Sequence, residues 1–364
     1  MSKLSSSKTV IALAAGALLS AGAAMAQTKT IYIGMNGGNM ERTYTQYVFP
    51  PFEKANNVKV VVVPGTSTDI LAKAQASKGK AQMHVMVLDD GVMFRAIGMG
   101  LCEKLKPSAN LDMLPAFARL KDDHAAGMSL GLTGLAYNAK LFAEKGWAAP
   151  TSWNDLADPK YKGKVLVQSM PASSFGLHAF LMFNKIKGGT EKDVEPAFKA
   201  WPTTIGPNVL EYIPNSSKVV EMMQAGDAVL FPYTLTQTEL MKSKGIPMEF
   251  AAPKEGAVVL LTGQCVLANN PDSDLAQKLV EYLVGPEAQA LAMEHGSYNP
   301  VNPKAVLQGK AAEAMSKMNE LAKSAYSVDW DVVNTERPEW NKRWIARWSV
   351  EHATGGKAQV WQYL

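Results

Sequence analysis

The stretch VVVVPGTSTDILAKAQ, Val60 to Gln75, decides the fold. A β-branched apolar run gives way to a helix-patterned run through Gly65-Thr66-Ser67-Thr68-Asp69. The first half has the composition of a buried strand. In the second half, Thr or Ser ahead of ILAKAQ can cap a helix, its oxygen accepting from backbone N–H groups that lack a helical partner. The same hydroxyls, beside free N–H groups at the positive end of a helix, can also receive an anion or a polar ligand. Thr66, Ser67 and Thr68 therefore carry two readings, cap and ligand contact.

The unit repeats on both sides of this junction. Thr30 to Gly34 is a strand that enters the Gly-rich turn Met35-Asn36-Gly37-Gly38-Asn39. Tyr44 to Asn56 is helical, with an interruption expected near Pro50-Pro51. Val58 to Val63 is the second strand and Asp69 to Gly79 the second helix. His84 to Leu88 is a third strand, ending at Asp89-Asp90-Gly91, and Met93 to Met99 is helical. A β-α-β-α order argues for a parallel α/β sheet. Ligands of such sheets bind beyond the carboxyl ends of the strands. Those ends offer Asn36, Asn39, Thr66, Ser67, Thr68, Asp89 and Asp90, and either Asp can equally be a helix cap.

Further along, Gly131 to Asn138 is a Gly-punctuated strand suited to crossing between two lobes. Gly163 to Val167 is a strand that delivers Gln168 to Gly176 and then a helix through Phe183, adding Ser169, Ser173 and Ser174 to the candidates. Asp227 to Phe231 leads into Tyr233, Thr234 and Thr236 ahead of another helix. Ala257 to Leu261 is a strand suited to crossing back, with Thr262 at its end. Leu275 to Val284 and Ala311 to Ala325 are helical. Trp340, Trp344 and Trp348 recur every fourth residue, so they share one helix face, which is expected to pack on a lobe.

The N-terminus has Lys3 and Lys8, the apolar run Val10 to Leu19 and the small-residue site Ala24-Met25-Ala26. This is the pattern of a secretory signal peptide cleaved near Ala26, and the run is too short for a membrane anchor. A periplasmic location is expected. The 364 residues carry a formal net charge of +4, two units of which come from Lys3 and Lys8. A near-neutral mature chain gives no support to nucleic-acid binding. Its length suggests two domains. Cys102 and Cys265 are the only cysteines; two buried thiols are the default, and export permits a bridge. The 19 methionines are scattered and fit core filling better than a soft-metal site.

Five segments carry a family resemblance: Gly131 to Asn138 (GLTGLAYN), Pro150 to Val167 (PTSWNDLADPKYKGKVLV), Pro253 to Asn270, Glu281 to Ala305 and Val328 to Trp348. In this order they resemble the solute-binding proteins of ABC importers, extracellular family 1 and the spermidine/putrescine-binding group. The resemblance implies an α/β, two-lobed periplasmic-binding-protein fold of type II, with two crossover strands as the hinge and the ligand cleft between the lobes. Lobe 1 would comprise residues 27–131 and 258–300, and lobe 2 residues 132–257. Residues 301–364 would form C-terminal helices packing mainly on lobe 2. It further implies a monomer without a cofactor, whose closed form docks on an ABC permease in the inner membrane. Signalling to a chemoreceptor stays open.

The ligand pattern departs from the best-known members. Polyamine binders hold ammonium groups with carboxylates and sandwich the alkyl chain with rings. Here the relevant strand ends are Phe231-Pro232-Tyr233 and Leu260-Leu261-Thr262-Gly263-Gln264, without the expected acid and Trp. Ferric-iron binders present adjacent tyrosines, whereas Tyr233 is followed by Thr234; His84 and His178 are isolated, so no metal site is expected. The hydroxyls and amides that remain suit a small organic anion or zwitterion such as a carboxylate or phosphonate. A polyamine is the alternative. No H-E-x-x-H or P-loop motif occurs, and Ser173 and Ser174 have no evident His partner, so an enzyme is not expected.

Overall fold

The computed structural model describes residues 28–78, 80–213 and 217–351. The signal-peptide segment and its cleavage site lie outside the described residues. The chain runs β1 (Lys29–Met35), α1 (Asn39–Thr43), a π-helical turn (Tyr44–Val48), α2 (Phe49–Asn56), β2 (Val58–Pro64), α3 (Ser67–Ala76), β3 (Val85–Asp89) and α4 (Asp90–Gly98). A short α5 (Ala109–Asp112) and β4 (Arg119–Leu120) lead into the long β5 (Ala125–Asn138). The second half holds α6 (Ala139–Lys145), β6 (Val165–Gln168), α7 (Ser174–Ile186), α8 (Glu195–Ala200), β7 (Val209–Ile213), α9 (Ser217–Ala225), β8 (Leu230–Thr234), α10 (Leu235–Ser243) and β9 (Met248–Ala251). Then β10 (Val258–Val266) returns, followed by α11 (Ser273–Leu283), α12 (Pro286–Gly296), α13 (Gly309–Ala322) and α14 (Trp330–Glu351).

The main path of the sheet has the order β2-β1-β3-β10-β5-β8-β6-β7, with β4 and β9 also pairing with β5. The expected parallel units occupy the two ends: β1 pairs in parallel with β2 and β3, and β6 with β7 and β8. Two antiparallel crossover strands, β5 and β10, join them. β5 begins at Ala125, six residues before the stretch that its glycines and β-branched residues mark. Gly127 lets it lie close to its neighbours, since a Cβ there would sit 3.0 Å from both Ala118 and Leu261.

Burial divides along the crossover. One core takes Ile31 to Met128 and Leu261 to Val301. A second takes Leu135 to Leu230 together with Val258, Trp330, Val333, Trp340 and Trp344. On the strands of the second half, Leu135, Val165, Val167 and Leu230 face that core, while their neighbours Ala136, Leu166 and Phe231 face a smaller one. This is the two-faced pattern of a sheet covered on both sides.

Two expectations need correction. Pro50 and Pro51 do not interrupt the first helix; they occupy the first turn of α2, where a missing N–H costs little, and the irregularity is the π turn before them. Cys102 and Cys265 are not free thiols but form a disulfide, with Cα atoms 5.6 Å apart. The last helix runs from Trp330 to Glu351 and has Pro338 inside it. Trp340 and Trp344 of its apolar face are buried in the second core, while the Trp348 side chain lies outside the described set.

α14 also touches the first core. The Trp330 ring lies over Gly91 of α4, where a Cβ would come within 2.4 Å of it, and Asp331 pairs with Lys121 at 2.6 Å.

Candidate functional site

A cleft of about 600 Å³ opens between the two cores at the carboxyl ends of the strands. Its wall includes Asn36 and Asn39 after β1, Thr66, Ser67 and Thr68 after β2, and Asp89 at the end of β3. From the other side come Ser173 and Ser174 after β6, and Tyr233, Thr234 and Thr236 around the end of β8. Thr262 of β10 lines it too. Gly176 fixes the second side. A Cβ there would lie 1.9 Å from the Gln168 carbonyl oxygen, so only glycine lets α7 sit tight against the end of β6.

The hydroxyls also work within the protein. Thr66 is the N-cap of α3 in a full capping box: its Oγ1 accepts from Asp69 N–H at 3.2 Å, and Asp69 Oδ2 accepts from Thr66 N–H at 3.0 Å. Ser67 Oγ accepts from the Asp89 N–H at 3.0 Å, stitching the second strand end to the third. Ser173 caps α7 and Thr234 caps α10, each by accepting a backbone N–H. At Thr66, then, the capping reading describes the bonds that are present, on a residue that also faces the cleft. Thr66→Ala is expected to cost about 1 kcal/mol and to lower the melting temperature by about 2–4 °C in a thermal unfolding scan. An unchanged melting point would show that the cap is dispensable.

Side-chain hydrogen bonds cross the cleft. Ser174 Oγ donates to Asp89 Oδ2 at 2.8 Å, and Asn299 Nδ2 donates to Thr236 Oγ1 at 3.1 Å. Asp89 is held above the usual carboxylate range by burial, against the pull of the Ser174 bond and the Arg337 charge.

Asp90 and Ser169 do not reach the cleft wall. Asp89 ends β3 as the N-cap of α4, and Asp90 is the first residue of that helix. Asp90 turns inward, 5% exposed, and accepts from Gly91 N–H at 2.9 Å, Leu261 N–H at 3.2 Å and the Trp330 side chain. Burial and the neighbouring Asp89 push it up to about 7. Ser169 extends the β6–β7 ladder, its N–H donating to the Ile213 carbonyl at 2.8 Å.

The wall also holds Ser129, Gln168, Gln237, Tyr298, Asn299 and Arg337, which are not among the sequence candidates. Arg337 is the most consequential. It is 3% exposed; one Nη donates to the Met170 carbonyl at 3.1 Å, and Nε has no partner. Burial, and then the charge of Arg95, push it down to about 10. A signal for it exists in the sequence. Trp330, Val333, Arg337, Trp340 and Trp344 follow one helix face, so the arginine stands at a core position of an apolar stripe.

His178 is fully buried with Nδ1 2.9 Å from Thr133 Oγ1, and burial and Arg337 push it down to about 3, so it is neutral. Among the described residues, no three His, Cys, Asp or Glu side chains are grouped to hold a metal ion.

Comparison with known proteins adds the following. A family model described as bacterial extracellular solute-binding protein matches residues 48–322. A gamma-aminobutyric acid-binding protein of Pseudomonas aeruginosa is 22% identical over 340 residues, covering 90% of this chain and 94% of that one. The spermidine/putrescine-binding periplasmic protein of Escherichia coli is 25% identical over 297 residues, covering 78% and 83%. Among solved structures, a periplasmic binding protein of Actinobacillus pleuropneumoniae with fructose 6-phosphate bound superposes with a TM-score of 0.73 at 23% identity, covering 88% and 98%.

Proposed function

The chain belongs to the bacterial extracellular solute-binding proteins, the periplasmic components of ABC transporters, and we propose that its own solute is a small organic anion or zwitterion, such as a carboxylate or phosphonate. One observation carries this reading. The N-cap residues of four helices, Thr66 of α3, Asp89 of α4, Ser173 of α7 and Thr234 of α10, all line the same cleft. Each helix brings the positive end of its dipole there, and each such end favours an anion by about 0.3–1 kcal/mol. Four together form a field that attracts negative charge, in a wall whose hydroxyls and amides can donate to it and whose acids Asp69 and Asp89 are engaged by the capping box and by Ser174.

The solute would bridge the two cores and hold them closed, a hinge motion about β5 and β10, and the closed form would be presented to the membrane permease. A polyamine is the second reading. It is favoured by Asp89 and by the edge-to-face pair of Phe175 and Tyr233, centroids 5.6 Å apart, on which an alkylammonium could rest. Asp69 is committed to the capping box and Asp90 faces away, so Asp89 would meet a dication almost alone.

A thermal-shift series on residues 27–364 tests this. The probes are ω-amino carboxylates, ω-amino phosphonates, sugar phosphates, putrescine and spermidine. A ligand at a hundredfold its Kd stabilises the native state by about 2.7 kcal/mol. An anion or zwitterion is expected to give the largest rise in melting temperature. A larger rise with putrescine or spermidine would overturn the reading.

A further inference from the structure

We propose that Arg337 sets the charge selectivity of the cleft by gripping an oxyanion group of the solute, a carboxylate, phosphonate or phosphate. The proposal rests on the anionic-solute reading above and goes further by naming the side chain that reads the charge.

Three observations support it. The guanidinium is 3% exposed on the cleft wall, yet no carboxylate of the described residues lies within 4.0 Å of it, and its Nε has no partner. A buried charge with unused donors is costly until a counter-charge arrives. The acid that influences it, Asp89, is already bonded to Ser174 across the cleft. The second cation in its surroundings, Arg95 of α4, adds positive charge rather than removing it. α14 packs against α4 through Trp330 and Gly91, so the two guanidinium groups are held near each other, and an anion at Arg337 offsets that repulsion.

The chemistry and the mounting agree. A guanidinium presents a planar fork of donors that matches the two oxygens of a carboxylate or phosphonate. α14 is anchored in the second core by Trp340 and Trp344 on either side of the next turns, and on the first by Trp330, so the fork is held on a fixed element.

Calorimetric titration of the parent, R337Q and R337K with 4-aminobutyrate, 3-aminopropylphosphonate, fructose 6-phosphate and putrescine tests the proposal. R337Q is expected to weaken whichever oxyanion probe the parent binds by at least about 30-fold. R337K, which keeps the charge but loses the fork, is expected to weaken it less. Putrescine has no oxyanion, so neither variant weakens it. Oxyanion affinity within about threefold of the parent in R337Q, or equal losses for putrescine and the anions, overturns the assignment. Should R337Q fail to fold, R337K decides: a loss confined to oxyanion probes supports the assignment, and unchanged affinity overturns it. A parent chain that binds putrescine and no oxyanion defeats the solute reading itself, a result visible before any variant is made.

Discussion

Trp344→Ala destabilises the folded chain by about 3–5 kcal/mol, the largest effect expected of any single truncation here. Trp344 is 2% exposed, and its ring meets Trp201 at 5.5 Å, Tyr212 at 5.4 Å and Phe180 at 5.9 Å between centroids. All three contacts are edge-on, the geometry that adds to simple burial. Removing the indole leaves a cavity among rigid aromatic rings that cannot collapse into it. The loss also reaches the cleft, because the same helix holds Arg337. Urea unfolding measures the stability, and titration of the variant measures affinity. An exposed control, Lys342→Ala, removes a surface ion pair with Glu339 and is expected to change stability by less than about 1 kcal/mol. A W344A chain as stable as this control would mean that the cluster contributes nothing.

The second large effect is loss of the disulfide. Cys102 follows α4 and Cys265 lies on β10, a sequence separation of 163. A bridge closing so long a loop restricts the unfolded chain strongly, and removing one costs about 2–5 kcal/mol. Cys102 is 5% exposed and Cys265 is fully buried, so a reductant reaches the bond only after the first core opens. C102A/C265A is expected to melt well below the parent. Neither cysteine lines the cleft, so affinity for the solute should be kept. Equal melting points for the two chains would sink the prediction.

How far sequence carried depended on whether a feature was local. The strand before Gly65 and the helix after Thr66 were legible because both are written in neighbouring residues, and the capping box at Thr66 and Asp69 is a four-residue pattern. The first half of β5 was not legible. Ala125 to Leu130 is made of small and flexible residues, and it is a strand because β10 pairs with it. Asp89 and Asp90 could not be told apart until the junction of β3 and α4 was known, because Asp89 ends the strand and Asp90 opens the helix. The disulfide pairs residues that no spacing rule connects. Arg337 sits mid-helix, far from any strand end, and only the stripe on α14 marks it.

The place of β10 has a consequence for how the molecule is made. β3 and β5 are neighbours of β10 and not of each other, so each half of the sheet lacks its inner neighbour until residues 258–266 have been synthesised. A chain emerging N-terminus first presents Val85–Asp89 and Ala125–Asn138 with open edges for more than a hundred residues of elongation. Open strand edges invite wrong pairings. Contacts so distant along the chain also form slowly, because loop closure must precede any gain from pairing. Completion of the first core therefore waits until β10 has been made, and a nascent chain held extended until then avoids the mispaired states that early compaction would create.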